Sequence, residues 1–239
     1  MLRDHFHSPL ADQHDWRSFH FAWATTLAFD LNRQLPQGWY AALSVEFGIE
    51  IDVGAWQDRA SSLASEQPLV PNEWTIEPRQ WEMPAPTLTL DFPLVTDSVE
   101  VQVFDQTDGR LLVGGIGLVS PANKDRQESR EAFVTKCEAK LREGVGMVVI
   151  DVVTPRYANL HQLLLQRIGH ENGSVPQRLF AASYHPTMRD EHTVLDIFHQ
   201  PLTIGHPLPL MPLHLKNGPC LQVDLPGTYQ QTRTSLRIS

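Results

Sequence analysis

The chain has 239 residues, 41% of them hydrophobic and 20% charged, which suits a globular protein long enough to bury a core without disulfide or metal staples. A formal net charge of -9 argues against a chain-wide basic footprint for nucleic acid, while leaving room for a small basic groove. Cys137 and Cys220 are the two cysteines, and without a CxxC pair they argue against a zinc ribbon or a disulfide framework.

No run approaches the ~20 apolar residues of a membrane helix. The opening Met-Leu-Arg-Asp-His-Phe-His lacks an apolar stretch of signal-peptide length. A cytoplasmic protein without a membrane partner is the expectation, with both cysteines reduced and Cys137 buried.

The first predicted element is a helix over 16–35. Trp16, Phe19, Trp23, Leu27 and Leu31 recur at three- and four-residue spacing and form one apolar stripe. Asp12 or Asp15 supplies a cap, and Pro36-Gln37-Gly38 stops the helix. Residues 39–56 read as two strands interrupted at Gly48 and Gly54, with Glu46, Glu50 and Asp52 sharing one alternation parity.

From 57 to about 98 the chain carries Pro68, Pro71, Pro78, Pro84, Pro86 and Pro93, the mark of a long irregular insertion. Trp74 and Trp81 suggest that part of it packs down on the domain. Residues 99–104 and 111–119 then read as a hairpin, with turn chemistry at Asp105-Gln106-Thr107-Asp108-Gly109.

A helix over 125–143 follows, capped by Asp125 with Glu128 reaching back, and closed by Gly144. Phe133, Cys137 and Leu141 make its inner face. The apolar run 146–153 fits a strand buried on both sides, so strand, helix and strand form a crossover unit. A helix over 158–168 ends at Gly169. Strands are predicted over 178–184, 193–199 and 221–225, an extended polyproline-like stretch over 201–212, and a polar tail from Gly227.

The predicted class is therefore α/β, a single domain over 1–239: a mixed sheet with flanking helices. Its core covers about 12–56 and 99–154, and a C-terminal β extension covers about 155–239.

Several motifs carry little. His185, His192, His199 and His206 recur every seven residues, but Pro186 and Pro201 interrupt any common helix, and no cysteine or spaced carboxylate set joins them. His5 and His7 lie near an end expected to be flexible. Gly114-Gly115-Ile116-Gly117 lacks the Lys-Ser/Thr of a phosphate loop and reads as close strand packing. There is no Gly-x-Ser-x-Gly elbow to support a serine hydrolase.

Three segments carry a more specific signal in this order: Gly117-Leu118-Val119-Ser120-Pro121-Ala122-Asn123-Lys124, Val149-Ile150-Asp151-Val152-Val153, and Pro207-Leu208-Pro209 ahead of Pro212-Leu213. With the run from Trp16 to His20 and the Leu35-Pro36-Gln37-Gly38-Trp39-Tyr40 turn, they resemble a bacterial family, domain of unknown function 4058, across nearly the whole chain. That family is similar, distantly, to the PD-(D/E)XK nucleases. Their restriction-endonuclease-like core is a helix, a three-stranded hairpin region, a crossover helix and a fourth strand, the succession read above.

The resemblance implies a metal-dependent phosphodiesterase site. Mg2+ or Mn2+ would polarise the phosphate and activate water, held by an aspartate on one strand and a glutamate on the next, with a lysine stabilising developing charge. Asp52 matches the first carboxylate. The glutamate expected before Leu-Val-Ser-Pro is replaced by Gly117, which has no side chain to ligate a metal. Lys124, or Lys136 on the crossover helix, matches the lysine, and Asp151 is a further metal-ligand candidate. Glu50, Glu100 or Asp105 are candidates to fill the vacancy.

Against these roles stand plainer ones. Asp52 also reads as a strand-end carboxylate, Lys124 as a loop lysine, Lys136 as a helix-surface lysine and Asp151 as the end of a strand, while Ser120 and Asn123 shape a turn. The expectation is an impaired nuclease-like protein that needs no cofactor and acts by binding or scaffolding a nucleic acid or a protein. The alternative is an active nuclease, dependent on Mg2+ or Mn2+, with a relocated carboxylate.

Overall fold

A computed structural model describes residues 1–46, 98–105, 111–170, 178–189 and 191–238, all within the unit formed by Met1–Gly48 and Val95–Ser239. Most of the proline-rich insertion, with Glu50 and Asp52, lies outside the described residues.

After a short helix α1 (Leu10–Gln13), helix α2 (Trp16–Asn32) begins where Asp15 accepts the Ser18 N–H at 3.1 Å. It stops three residues short of the predicted end. Leu35 precedes Pro36, whose ring disfavours the helical region for its predecessor, and the Gln34 and Leu35 amides turn back onto the Leu31 carbonyl. The predicted stripe is buried: Phe19, Trp23, Leu27 and Leu31 are each at most 1% exposed.

Strands β1 (Trp39–Glu46), β2 (Ser98–Asp105), β3 (Leu111–Leu118), β4 (Gly146–Asp151), β5 (Phe180–Arg189) and β6 (His192–Pro201) form one sheet in chain order. Among the described residues only β3 and β4 pair in parallel, as the predicted crossover requires. The α/β class and the mixed sheet with flanking helices are thus present in the fold.

The crossover is two helices rather than the one predicted over 125–143. Helix α3 (Pro121–Asp125) is capped by Ser120, not helix α4 (Gln127–Arg142) by Asp125. The Ser120 N–H donates to Asn123 Oδ1 at 2.8 Å, and Ser120 Oγ accepts the Asn123 N–H at 3.4 Å, a reciprocal cap ahead of Pro121. Arg126, at φ -105° and ψ 158°, then breaks the helical path. Asp125 instead pairs with Arg156 at 3.0 Å.

Helix α5 (Leu160–Arg167) ends before Gly169, whose φ of +91° closes it. Strand β5 runs past the predicted end and takes in Pro186. Beyond its last pair with β4, Met147 with Tyr184, β5 pairs among the described residues with β6 alone, and a proline is tolerated on such an edge.

The last forty residues differ most from expectation. Strand β7 (Leu210–His214) occupies the end of the stretch predicted as polyproline-like and pairs with β8 (Cys220–Asp224). The predicted polar tail is helix α6 (Leu225–Ser235), capped by Asp224, which accepts the Gly227 N–H at 2.8 Å. Its buried residues are Leu225, Thr228, Tyr229, Thr232 and Arg233, two threonines and an arginine among five and so weakly apolar. Thr228 Oγ1 accepts the Trp23 indole N–H at 3.1 Å and joins α6 to α2.

The chain's start is held down rather than flexible. His5 is buried, with Nε2 2.7 Å from the Tyr229 hydroxyl, and Leu2 exchanges backbone hydrogen bonds with residues 205 and 206.

Two apolar layers cover the sheet. On one face α2, α6 and the β7–β8 pair meet Ile116, Leu118, Val148 and Ile150. On the other, α4 and α5 meet Met147, Val149, Phe180 and Ala182.

Candidate functional site

Strand alternation decides which site residues share a face. Glu100 of β2 lies directly opposite Gly117 of β3, and Gly117 lies opposite Val149 of β4. Gly115, Gly117, Met147, Val149 and Asp151 therefore have one facing, towards α4. This is the face that would carry the metal if the chain followed the nuclease pattern.

An aromatic ring fills the place over Gly117. A Cβ built there would stand 3.7 Å from Phe133 Cζ, ordinary van der Waals contact. Glu100 is 7% exposed and leans over Gly115, where a Cβ would lie 3.5 Å from Oε1. Its carboxylate is engaged: Gln102 Nε2 donates to Oε2 at 3.0 Å, and Lys140 Nζ forms an ion pair with the same oxygen.

Lys136 is half-buried one turn earlier on α4. Burial first, then the Lys140 charge, push its ammonium down to about 8. Burial, and then Glu100, push the Cys137 thiol up to about 12, so this buried cysteine is a structural group rather than a nucleophile.

Lys124 and Asp151 meet each other. Lys124 Nζ donates to Asp151 Oδ2 at 2.8 Å with both side chains 0% exposed, and it lies 3.4 Å from the Val153 carbonyl. Asp151 Oδ1 accepts the Val153 N–H at 3.0 Å. Burial pushes the Asp151 carboxyl up to about 6 against the pull of Lys124 and that amide. The pair fastens α3 to the end of β4.

Asp105 closes the far end of β2, five residues from Glu100 and so about 17 Å along the strand. The fold thus joins Lys124 to Asp151 and Glu100 to Lys140, and keeps Asp105 apart. Lys140 was missed in the sequence, although its spacing signalled it: it stands three residues after Cys137 and seven after Phe133, on their helix face.

The heptad-spaced histidines do not converge. His185 stacks on His214 at a centroid distance of 3.9 Å, whereas His199 stacks on His161 at 4.6 Å. Among the described residues no group of three His, Cys, Asp or Glu is placed to hold a metal ion, and no helix is long and apolar enough to cross a membrane. Compared with protein-family models, curated proteins and solved structures, the chain has no match.

Proposed function

We propose that this chain is a catalytically impaired relative of the restriction-endonuclease-like nucleases that binds or scaffolds a partner. The observation that carries this reading is the Phe133 ring over Gly117, at the position where the second metal-binding carboxylate is expected. The engagement of Lys124 with Asp151 supports it, since a lysine fixed in a dry ion pair is withdrawn from the phosphate it would have to meet. The net charge of -9 favours a protein partner over nucleic acid.

Calorimetric titration of Mg2+ and Mn2+ into the protein and into Gly117→Glu tests it. Negligible heats for both are expected, because the new carboxylate must first displace Phe133. Saturable heat with the unaltered protein, together with metal-dependent cleavage of DNA or RNA, would overturn the reading.

One observation favours a second reading, a phosphodiesterase with a relocated carboxylate: Glu100 faces Gly117 across the β2–β3 register, with Lys140 beside it. That reading requires cleavage in Mg2+ or Mn2+ which either Glu100→Gln or Asp52→Ala abolishes.

A further inference from the structure

Among the described residues β1 forms one edge of the six-stranded sheet and β6 the other, and the fold treats them differently. An edge strand turns a row of backbone N–H and C=O groups outward, ready to pair with another strand. Helix α2 covers part of the β1 edge: the Ala41 N–H donates to Asn32 Oδ1 at 2.8 Å, and Asn32 Nδ2 donates to the Ala41 carbonyl at 2.9 Å.

Strand alternation shows which groups β6 holds outward. Just past β6, the Leu202 N–H donates to the Leu179 carbonyl at 2.9 Å. The β5–β6 register then runs from the Phe180–Pro201 pair to the Arg189–His192 pair without a shift. Alternate residues of an antiparallel strand bond to opposite sides. The even-numbered residues of β6 therefore bond to β5, whereas Thr193, Leu195, Ile197 and His199 turn their N–H and C=O groups away from the sheet. Among the described residues these groups have no hydrogen-bond partner.

The β6 edge also lacks the usual protections, which are lysine, proline, a bulge or shortness. It runs ten residues, against about 5–6 for a common strand. It contains no lysine and no bulge, and its proline, Pro201, is its last residue. Its one carboxylate, Asp196, is paired with Arg189 of β5 at 2.6 Å, so the repulsion between chains of net charge -9 is not concentrated there. Ile197 and Phe198 are exposed, one on each face of the sheet, and flank the ladder with apolar surface.

The edge is complementary to itself. With a two-fold axis at Ile197, antiparallel pairing sets Ile197 against Ile197, Leu195 against His199 and Thr193 against Pro201 of the second copy, so every outward residue meets an outward residue. The N–H that Pro201 lacks then falls at the two ends of the ladder and not within it. Asp196 lies opposite Phe198 and not opposite its own copy, which avoids facing like charges. A contact of this kind closes on itself as a dimer.

We propose that β6 pairs antiparallel with β6 of a second copy about a two-fold axis at Ile197, joining the two six-stranded sheets into one. This goes beyond the impaired-nuclease reading. The edge lies three strands from β3, so metal binding at the Gly117 face can succeed or fail without moving this result.

Sedimentation equilibrium over a range of protein concentrations tests the pairing, together with amide hydrogen exchange read by NMR at low and high concentration. A reversible dimer is expected. Ile197→Lys sets two ammonium groups face to face at the axis and should weaken it about tenfold or more. Phe29→Lys, at an exposed position on α2, should leave the dimer unchanged. In the unaltered protein the Leu195, Ile197 and His199 amides should exchange about tenfold more slowly at high concentration, while those of Val194, Asp196 and Phe198, bonded to β5 in either state, should not change. The exchange measurement needs no variant, so the result does not depend on how Ile197→Lys folds. A monomer at every concentration, assembly beyond a dimer, or outward amides protected equally when dilute, which would mean that the edge is covered within one chain, would each overturn the proposal.

Discussion

Burying an ammonium and a carboxylate strips both of water, and their attraction offsets that cost only when geometry and further hydrogen bonds are good. Lys124 and Asp151 meet at 2.8 Å with the Val153 amide as a third partner. Removing Lys124 leaves the Asp151 carboxyl dry and without its counter-charge, so Lys124→Met is expected to cost about 3–5 kcal/mol in denaturant unfolding. Adding Asp151→Asn, which keeps an acceptor for the Val153 N–H, should recover most of that loss.

Histidines set the response to acid. His5, His20 and His161 are each held down from 6.5 to about 4, first of all by burial. Between those values the unfolded chain binds protons that the folded protein refuses, so stability is full above about 6.5 and falls as the pH drops towards 4. Asp151 acts in the opposite sense. Its carboxyl, pushed up from 3.8 to about 6, keeps a proton that the unfolded chain has released, so its contribution shrinks as the pH rises through that range. Three groups outweigh one, and Tm measured by circular dichroism should fall steadily from pH 7 to pH 4.

At the scale of elements, local signals were legible wherever one residue type performs one task. The stripe from Trp16 to Leu31 specified α2, and the unbroken apolar run from Met147 to Ile150 specified a strand buried on both faces. The crossover helix was legible in outline but not in its start, because Asp125 and Ser120 are both fit to cap and the reciprocal bond with Asn123 decides between them. Ser120→Ala should therefore cost about 0.5–2 kcal/mol. Asp125→Ala removes no cap and should cost only its exposed pair with Arg156, up to about 1 kcal/mol. Helix α6 escaped the apolar pattern because two threonines and an arginine stand among its five buried residues, and its Pro226 and Gly227 read as breakers although they sit in its first turn.

At the scale of the whole molecule, the C-terminal strands close over one face of the sheet and demand small residues beneath them. A Cβ at Gly146 would stand 1.9 Å from the His214 carbonyl oxygen, a backbone atom with no room to yield. Gly146→Ala is expected to cost about 3 kcal/mol or more, seen as a lower midpoint in urea. Ser183 Oγ donates to the Pro212 carbonyl at 2.6 Å, and the Lys216 N–H to Val113 at 2.8 Å, fixing β7 and the turn after it over β5 and β3.

The sequence by itself determined the α/β class, the crossover between β3 and β4 and the absence of a side chain at 117, since these follow from local periodicity and residue identity. The partners of Glu100, Lys124 and Asp151 were decided only by the tertiary structure. Whether a buried charge faces a metal, a lysine or a ring depends on residues distant in the chain that packing brings within a few ångströms. The residue over Gly117 is likewise set by how α4 lies on the sheet: Phe133 was legible as an inner-face residue, and the fold places its ring where the metal-binding carboxylate was expected.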